Sequence, residues 1–115
     1  MKRSVVIRLR DMLTMIDAVA EMVDGADFAR YRSDIKLRLA VERSIEIVSE
    51  ASRHLSDGQK ALFPNVPWAE ISAIGNKLRH EYNRLDDAIL WGVATKALPN
   101  LRSVVVALLD GALEQ

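Results

Sequence analysis

The stretch Leu9–Val23, LRDMLTMIDAVAEMV, decides the fold class of this chain. Its apolar residues Leu9, Met12, Leu13, Ile16, Val19, Ala20 and Val23 recur every three or four positions, the spacing that gathers side chains on one face of an α-helix. Asp24-Gly25 ends the run, so the spacing predicts a helix over about 4–24.

The same period continues downstream. Ser33 is placed as an N-cap with Asp34 in the first turn, and Leu37, Val41, Ser44, Val48, Ala51 and Leu55 line a second helix. That helix ends near Arg53 and His54, where His54 reads as a helix C-terminal cation. Residues 25–33 and 56–67 read as connectors, the latter holding one turn capped by Ser56 before Pro64 and Pro67. Pro67 suits the first position of a third helix, since its missing N–H costs nothing there. Trp68, Ile71, Ile74 and Leu78 form the apolar side of that helix, with Tyr82 a candidate to extend it. Ala73, Asn76, Lys77, His80 and Arg84 form the opposite side. A fourth helix starts at Asp86-Asp87 and keeps register through Ile89, Val93, Ala97, Leu101, Val104 and Leu108. Pro99 either kinks it or opens a fifth. The expectation is one all-α domain over residues 1–115, an antiparallel four- to five-helix up-and-down bundle.

Composition agrees with this and narrows the function. The 115 residues include 50% hydrophobic ones, enough to bury a core without the disulfides or cysteine-bound zinc that the absence of Cys rules out. Sixteen basic residues balance sixteen acidic ones, so a nucleic acid could be held only by a local patch, not by bulk positive charge. No apolar stretch approaches the roughly 20 residues of a membrane span, and the basic start leads into Asp11 rather than a signal-peptide core. A cytoplasmic protein that does not engage a membrane is the expectation. Val104, Val105, Val106, Leu108 and Leu109 are too many apolar neighbours for one buried helix face, which points to association as a symmetric homodimer.

Function-capable groups concentrate in Gly75-Asn76-Lys77-Leu78-Arg79-His80-Glu81-Tyr82-Asn83-Arg84. A histidine can both accept and donate a proton near neutrality. RNA carries its own nucleophile in the 2′-OH. His80 as base or acid, Asn76 one turn away to orient it or hold a phosphate oxygen, and Lys77, Arg79 or Arg84 to stabilise phosphorane charge make a metal-free toolkit for strand cleavage. Spacing alone does not separate this from an inert solvated helix face, on which a lone histidine is ordinary. Tyr82 equally seals a core, and Arg79 or Arg84 equally pairs with Glu81 or Asp87.

The ordered series Phe63-Pro64-Asn65-Val66-Pro67-Trp68, Ile71, Asn76 to Tyr82, Leu85-Asp86, Ile89, Trp91 and Leu98-Pro99-Asn100-Leu101 resembles the HepT-like toxins of the HEPN superfamily. Ile45 to Ala51 is similar to the family's second-helix signature, in which Gly is common where Ser49 stands. The resemblance implies a HEPN-like helical bundle that acts as an endoribonuclease toxin, usually as a homodimer with active groups facing a cleft between subunits. It implies a minimal nucleotidyltransferase antitoxin as partner, no cofactor, a catalytic His80 beside Asn76, and Tyr82 as the site of AMPylation. An anionic AMP group beside His80 would repel RNA phosphate. One departure stands out: Gly75 occupies the position where an Arg commonly precedes the Asn. Arg79, Arg84 or Lys77 then has to supply the charge, or the chain is a weakened scaffold that binds a nucleotidyltransferase or a nucleotide instead. On that reading, Gly75→Arg should restore activity.

Overall fold

A computed structural model describes residues 2–81 and 86–113, and the described residues are helical with no strand among them. Helix α1 spans Lys2–Val23 and buries Val5, Leu9, Met12, Ile16 and Val19, the face read from the three-and-four spacing. Gly25, at a positive φ of 76°, turns the chain after α1, a conformation that suits a residue without Cβ.

Residues 25–33 are more than a connector. They contain helix α2, Phe28–Ser33, capped by the Asp27 carboxylate, which accepts the Arg30 N–H at 2.8 Å. Tyr31, at its centre, is fully buried and lies 5.4 Å from the Trp91 ring, with Phe28 also against Trp91. The sequence reading missed this because six residues are too short to display a period. Helix α3 spans Ile35–Ser52, and its N-cap is Asp34 rather than Ser33: the Asp34 carboxylate accepts the Leu37 N–H at 3.1 Å. Ser33 is in α2 and donates to the Arg30 carbonyl.

A single turn, α4 over Asp57–Ala61, carries the expected Ser56 cap in a reciprocal capping box with Gln59. Helix α5 spans Trp68–Glu81 and starts one residue after Pro67, whose carbonyl accepts the Ile71 N–H. The Trp68 indole N–H reaches the Lys60 and Phe63 carbonyls, at 3.1 and 3.2 Å, and ties the start of α5 to the preceding loop.

The last part of the chain is one helical run in three pieces: α6 over Asp87–Gly92, a π-helical turn over Val93–Ala97 and α7 over Leu98–Leu113. The π turn resolves the alternatives for Pro99. The helix changes pitch ahead of it and resumes at Leu98, so Pro99 falls in a first turn, where its missing N–H is tolerated. The extra residue also breaks the expected register: Ile89 is 55% exposed and Ala97 is exposed, while Leu90, Ala94, Leu98, Leu101, Val105 and Leu108 are buried. An 18-residue window of Asp87–Ala112 reaches a mean hydropathy of 1.2, with 33% of it buried. This run is long and apolar enough to cross a membrane by length and composition, which Lys96, Arg102 and Asp110 conceal from a reading of unbroken apolar stretches. It packs on α1, and Arg102 pairs with Asp17 across that contact at 2.8 Å.

Helices α1, α3, α5 and the α6–α7 run make the bundle. Helix α1 is central, packed against both α3 and α7, and α5 packs on α3. Ser49 meets Gly75 while Ser52 meets Ser72, so α3 and α5 run antiparallel.

Candidate functional site

Helix α5 presents its functional groups outward because its inner face is fixed on α3. Gly75 and Leu78 are buried there, and at about 100° per residue Asn76 and His80 point roughly 100° and 140° away from Gly75. Asn76, Lys77 and His80 are exposed, in keeping with the polar stripe read from the sequence, while Ala73 is half-buried. Tyr82 and Arg84 lie outside the described residues.

Arg79 is brought to the site by a contact that sequence spacing does not contain. Its partner is neither Glu81 nor Asp87: Nη1 lies 3.9 Å from Oε1 of Glu50 on α3. Side chains on a helix lean toward its N-terminus, so the Arg79 guanidinium reaches back along α5. The other Glu50 oxygen lies 3.3 Å from His54 Nε2, so His54, just past the end of α3, has a carboxylate partner of its own. Arg79, Glu50, Arg43, Glu46, Arg8 and Asp11 line a groove of about 230 Å³ across α1, α3 and α5. Arg43 is 4.0 Å from Glu46. The cations there are matched by carboxylates at long range, so the groove is polar without strong net charge.

On the other flank of α5 lies a larger, mostly apolar groove of about 470 Å³. Ile45, Ile74, Ile89, Val93 and Leu101 contribute to its walls, and Lys77 and Glu70 stand among the lining residues. The exposed Asn76–His80 stripe therefore lies between a polar groove and an apolar one.

The backbone that carries the stripe is gripped by polar groups from α3. Ser49 Oγ donates to the Ser72 carbonyl at 3.1 Å and accepts the Gly75 N–H at 3.1 Å. Arg53 donates to the same Ser72 carbonyl through Nε at 3.3 Å and Nη2 at 3.0 Å. Ser52 Oγ donates to the Ser49 carbonyl at 2.7 Å and lies 3.5 Å from Ser72 Oγ. The sequence reading gave Ser49, Ser52 and Arg53 no part in the site. The one available signal was the run of small polar residues Ser44, Ser49 and Ser52 on a face otherwise made of Val and Ile.

This contact also gives Gly75 a physical reason. A Cβ built there would stand 2.5 Å from Ser49 Oγ and 2.7 Å from Ser49 Cβ, closer than atoms can pack. The two positions that depart from the resembled pattern, Ser49 and Gly75, are thus one contact. The expectation that Gly75→Arg alone restores activity is corrected: with Ser49 in place, position 75 has no room for a side chain.

Comparison with known proteins agrees with the helical architecture and the motif. Residues 12–108 match the HepT-like ribonuclease family. The chain is similar to a candidate RNase of Methanocaldococcus jannaschii, 34% identical over 104 residues that cover 90% of this chain and 95% of the relative. It is similar to a protein named as a probable ribonuclease HepT of Thermococcus cleftensis, 33% identical over 102 residues, 89% of this chain and 93% of the relative. A candidate RNase of Caldanaerobacter subterraneus subsp. tengcongensis is also 33% identical over 102 residues, 89% of this chain and 91% of the relative. No solved structure matches the chain.

Proposed function

This chain belongs to the HepT-like ribonuclease family, and on that premise we propose that it cleaves RNA with His80 as the proton-transfer group. The observation that carries the proposal is the exposed i, i+4 pair of Asn76 and His80 on a helix whose backbone is held from behind. His80 removes the proton from a ribose 2′-OH, and the resulting oxyanion attacks the adjacent phosphorus. The P–O5′ bond then breaks, leaving a cyclic phosphate on one fragment and a 5′-hydroxyl on the other once that oxygen is protonated. Asn76 orients the imidazole or holds a phosphate oxygen. Arg79 and Lys77 supply positive charge to the phosphorane, with Arg84 a further candidate. The reaction as written calls for no metal.

The site works in a homodimer. The apolar groove beside α5 and the exposed Ile89 are surface that a second copy would cover, setting two His80 residues around one cleft. The physiological partner is a minimal nucleotidyltransferase that silences the toxin by transferring AMP to Tyr82, and the pair acts in the cytoplasm. A second reading is favoured by the steric closure of position 75. Without an arginine there, the chain is a catalytically weakened scaffold that binds the nucleotidyltransferase or a nucleotide.

Purified protein in EDTA, compared with His80→Ala on single-stranded RNA, separates the readings. Cleavage by wild type and its loss in the variant supports the nuclease; equal cleavage by both rejects His80 as the catalytic group. No cleavage by either leaves the scaffold reading, which complex formation with a nucleotidyltransferase then has to support.

A further inference from the structure

We infer that Ser49 is a positioning residue for the Asn76–His80 face of α5, acting through the helix backbone; its catalytic meaning rests on the ribonuclease reading above. A buried serine inside a helix ordinarily satisfies its hydroxyl on its own preceding turn. Ser44 does so on the Ala40 carbonyl at 2.9 Å, and Ser52 does so on Ser49 at 2.7 Å. Ser49 instead spends both its donor and its acceptor capacity on the neighbouring helix, with the side chain 1% exposed. The two groups it bridges, the Ser72 carbonyl and the Gly75 amide, lie in the turn that leads directly into Asn76. Arg53 brings two further N–H donors to that same carbonyl. The missing Cβ at Gly75 is what lets the hydroxyl reach the backbone at all.

These contacts fix the rotation of α5 about its own axis. Outer side-chain atoms lie about 5–6 Å from a helix axis, so a rotation of about 10° displaces an imidazole by about 1 Å. A misplacement of that size is enough to lower a rate about a hundredfold at worst. Leu78 anchors the same helix face by burial alone, which resists separation of α3 and α5 but defines their relative rotation less sharply than directed hydrogen bonds.

The test is Ser49→Ala in the full chain, which keeps Cβ and removes both hydrogen bonds. On single-stranded RNA, kcat should fall about tenfold, with KM within about twofold of wild type and helix content unchanged. The Gly75 amide should exchange with solvent faster, and NMR contacts from α3 to Asn76 should shift. An unchanged kcat overturns the inference. So does a fall in kcat that only follows the folded fraction, because that is a stability effect without positioning. If Ser49→Ala does not fold, Ser49→Cys keeps an atom at the Oγ position with a weaker donor and is read the same way. If wild type cleaves no more RNA than His80→Ala, the ribonuclease reading fails by itself. Positioning is then decided by the NMR contacts: a shifted pattern in Ser49→Ala upholds it and an unchanged one overturns it.

Discussion

Ser49 and Gly75 approach so closely that only one of them can carry a side chain: a Cβ at residue 75 would stand 2.7 Å from Ser49 Cβ. Gly75→Ala should therefore destabilise the bundle by about 1–3 kcal/mol through overpacking, although alanine is the better helix former by about 1 kcal/mol at an unconstrained position. The double change Ser49→Gly with Gly75→Ala exchanges the side chain across the contact and should recover most of the loss. Urea midpoints of the four proteins measure this coupling, and additive effects would show that the contact is looser than described.

Glu50 competes with phosphate for Arg79. Glu50→Gln should therefore tighten RNA binding, whereas Arg79→Gln should weaken it and flatten the dependence of affinity on salt by about one phosphate contact. Fluorescence titration of a short RNA at several ionic strengths, using protein carrying His80→Ala to prevent cleavage, reports both effects. Tighter binding by Arg79→Gln would remove Arg79 from the RNA-binding surface.

Tyr31 is fully buried against Trp91, and its hydroxyl has no hydrogen-bond partner among the described residues. Burial drives its pKa upward, as expected for a phenol kept neutral away from water. Tyr31→Phe should stabilise the protein by about 1 kcal/mol, because it removes a desolvated polar group and keeps the ring packing. Thermal unfolding checks the sign, and a lower melting temperature would mean that the hydroxyl is satisfied in solution.

The Arg102 guanidinium, hydrogen-bonded to Asp17, holds that carboxyl below its ordinary value. A depressed carboxylate pKa adds stability above the unfolded-state value and loses it as pH falls through the folded-state one. The contribution should be present at neutral pH and fade through the acidic range below about 4. Both side chains are about half exposed, so the effect is small and screened by salt. Comparing wild type with Asp17→Asn by denaturation at several pH values should show the difference shrink toward low pH. A difference independent of pH would assign the contact to packing.

Long periodic segments made the bundle legible in the sequence. Leu9 to Val19 and Val41 to Leu55 bury the residues their spacing names, since hydrophobic burial acts on a whole helix face. The exposed placement of Asn76, Lys77 and His80 was legible for the same reason. What escaped was set by contacts between segments distant in sequence. Tyr31 is buried by Trp91 sixty residues away, a partner no local period can announce. Arg79 was expected to pair within its own neighbourhood and instead meets Glu50, because α5 lies antiparallel on α3. Gly75 read as a lost charge, and only the opposing Ser49 hydroxyl reveals it as a steric requirement.

The π turn between α6 and α7 makes the chain intolerant of small changes in length. The Leu98 N–H bonds to the Val93 carbonyl five residues back, so this turn holds one residue more than an α-helix needs. Deleting a single residue within Val93–Ala97 would let the run close into continuous α-helix and turn everything beyond it by about 100° relative to α6. Leu101, Val105 and Leu108 would then swing away from α1 unless α6 rotated instead and pulled Trp91 off Tyr31. Within these five positions a substitution can be absorbed one side chain at a time, but a deletion sets the two ends of the run against each other.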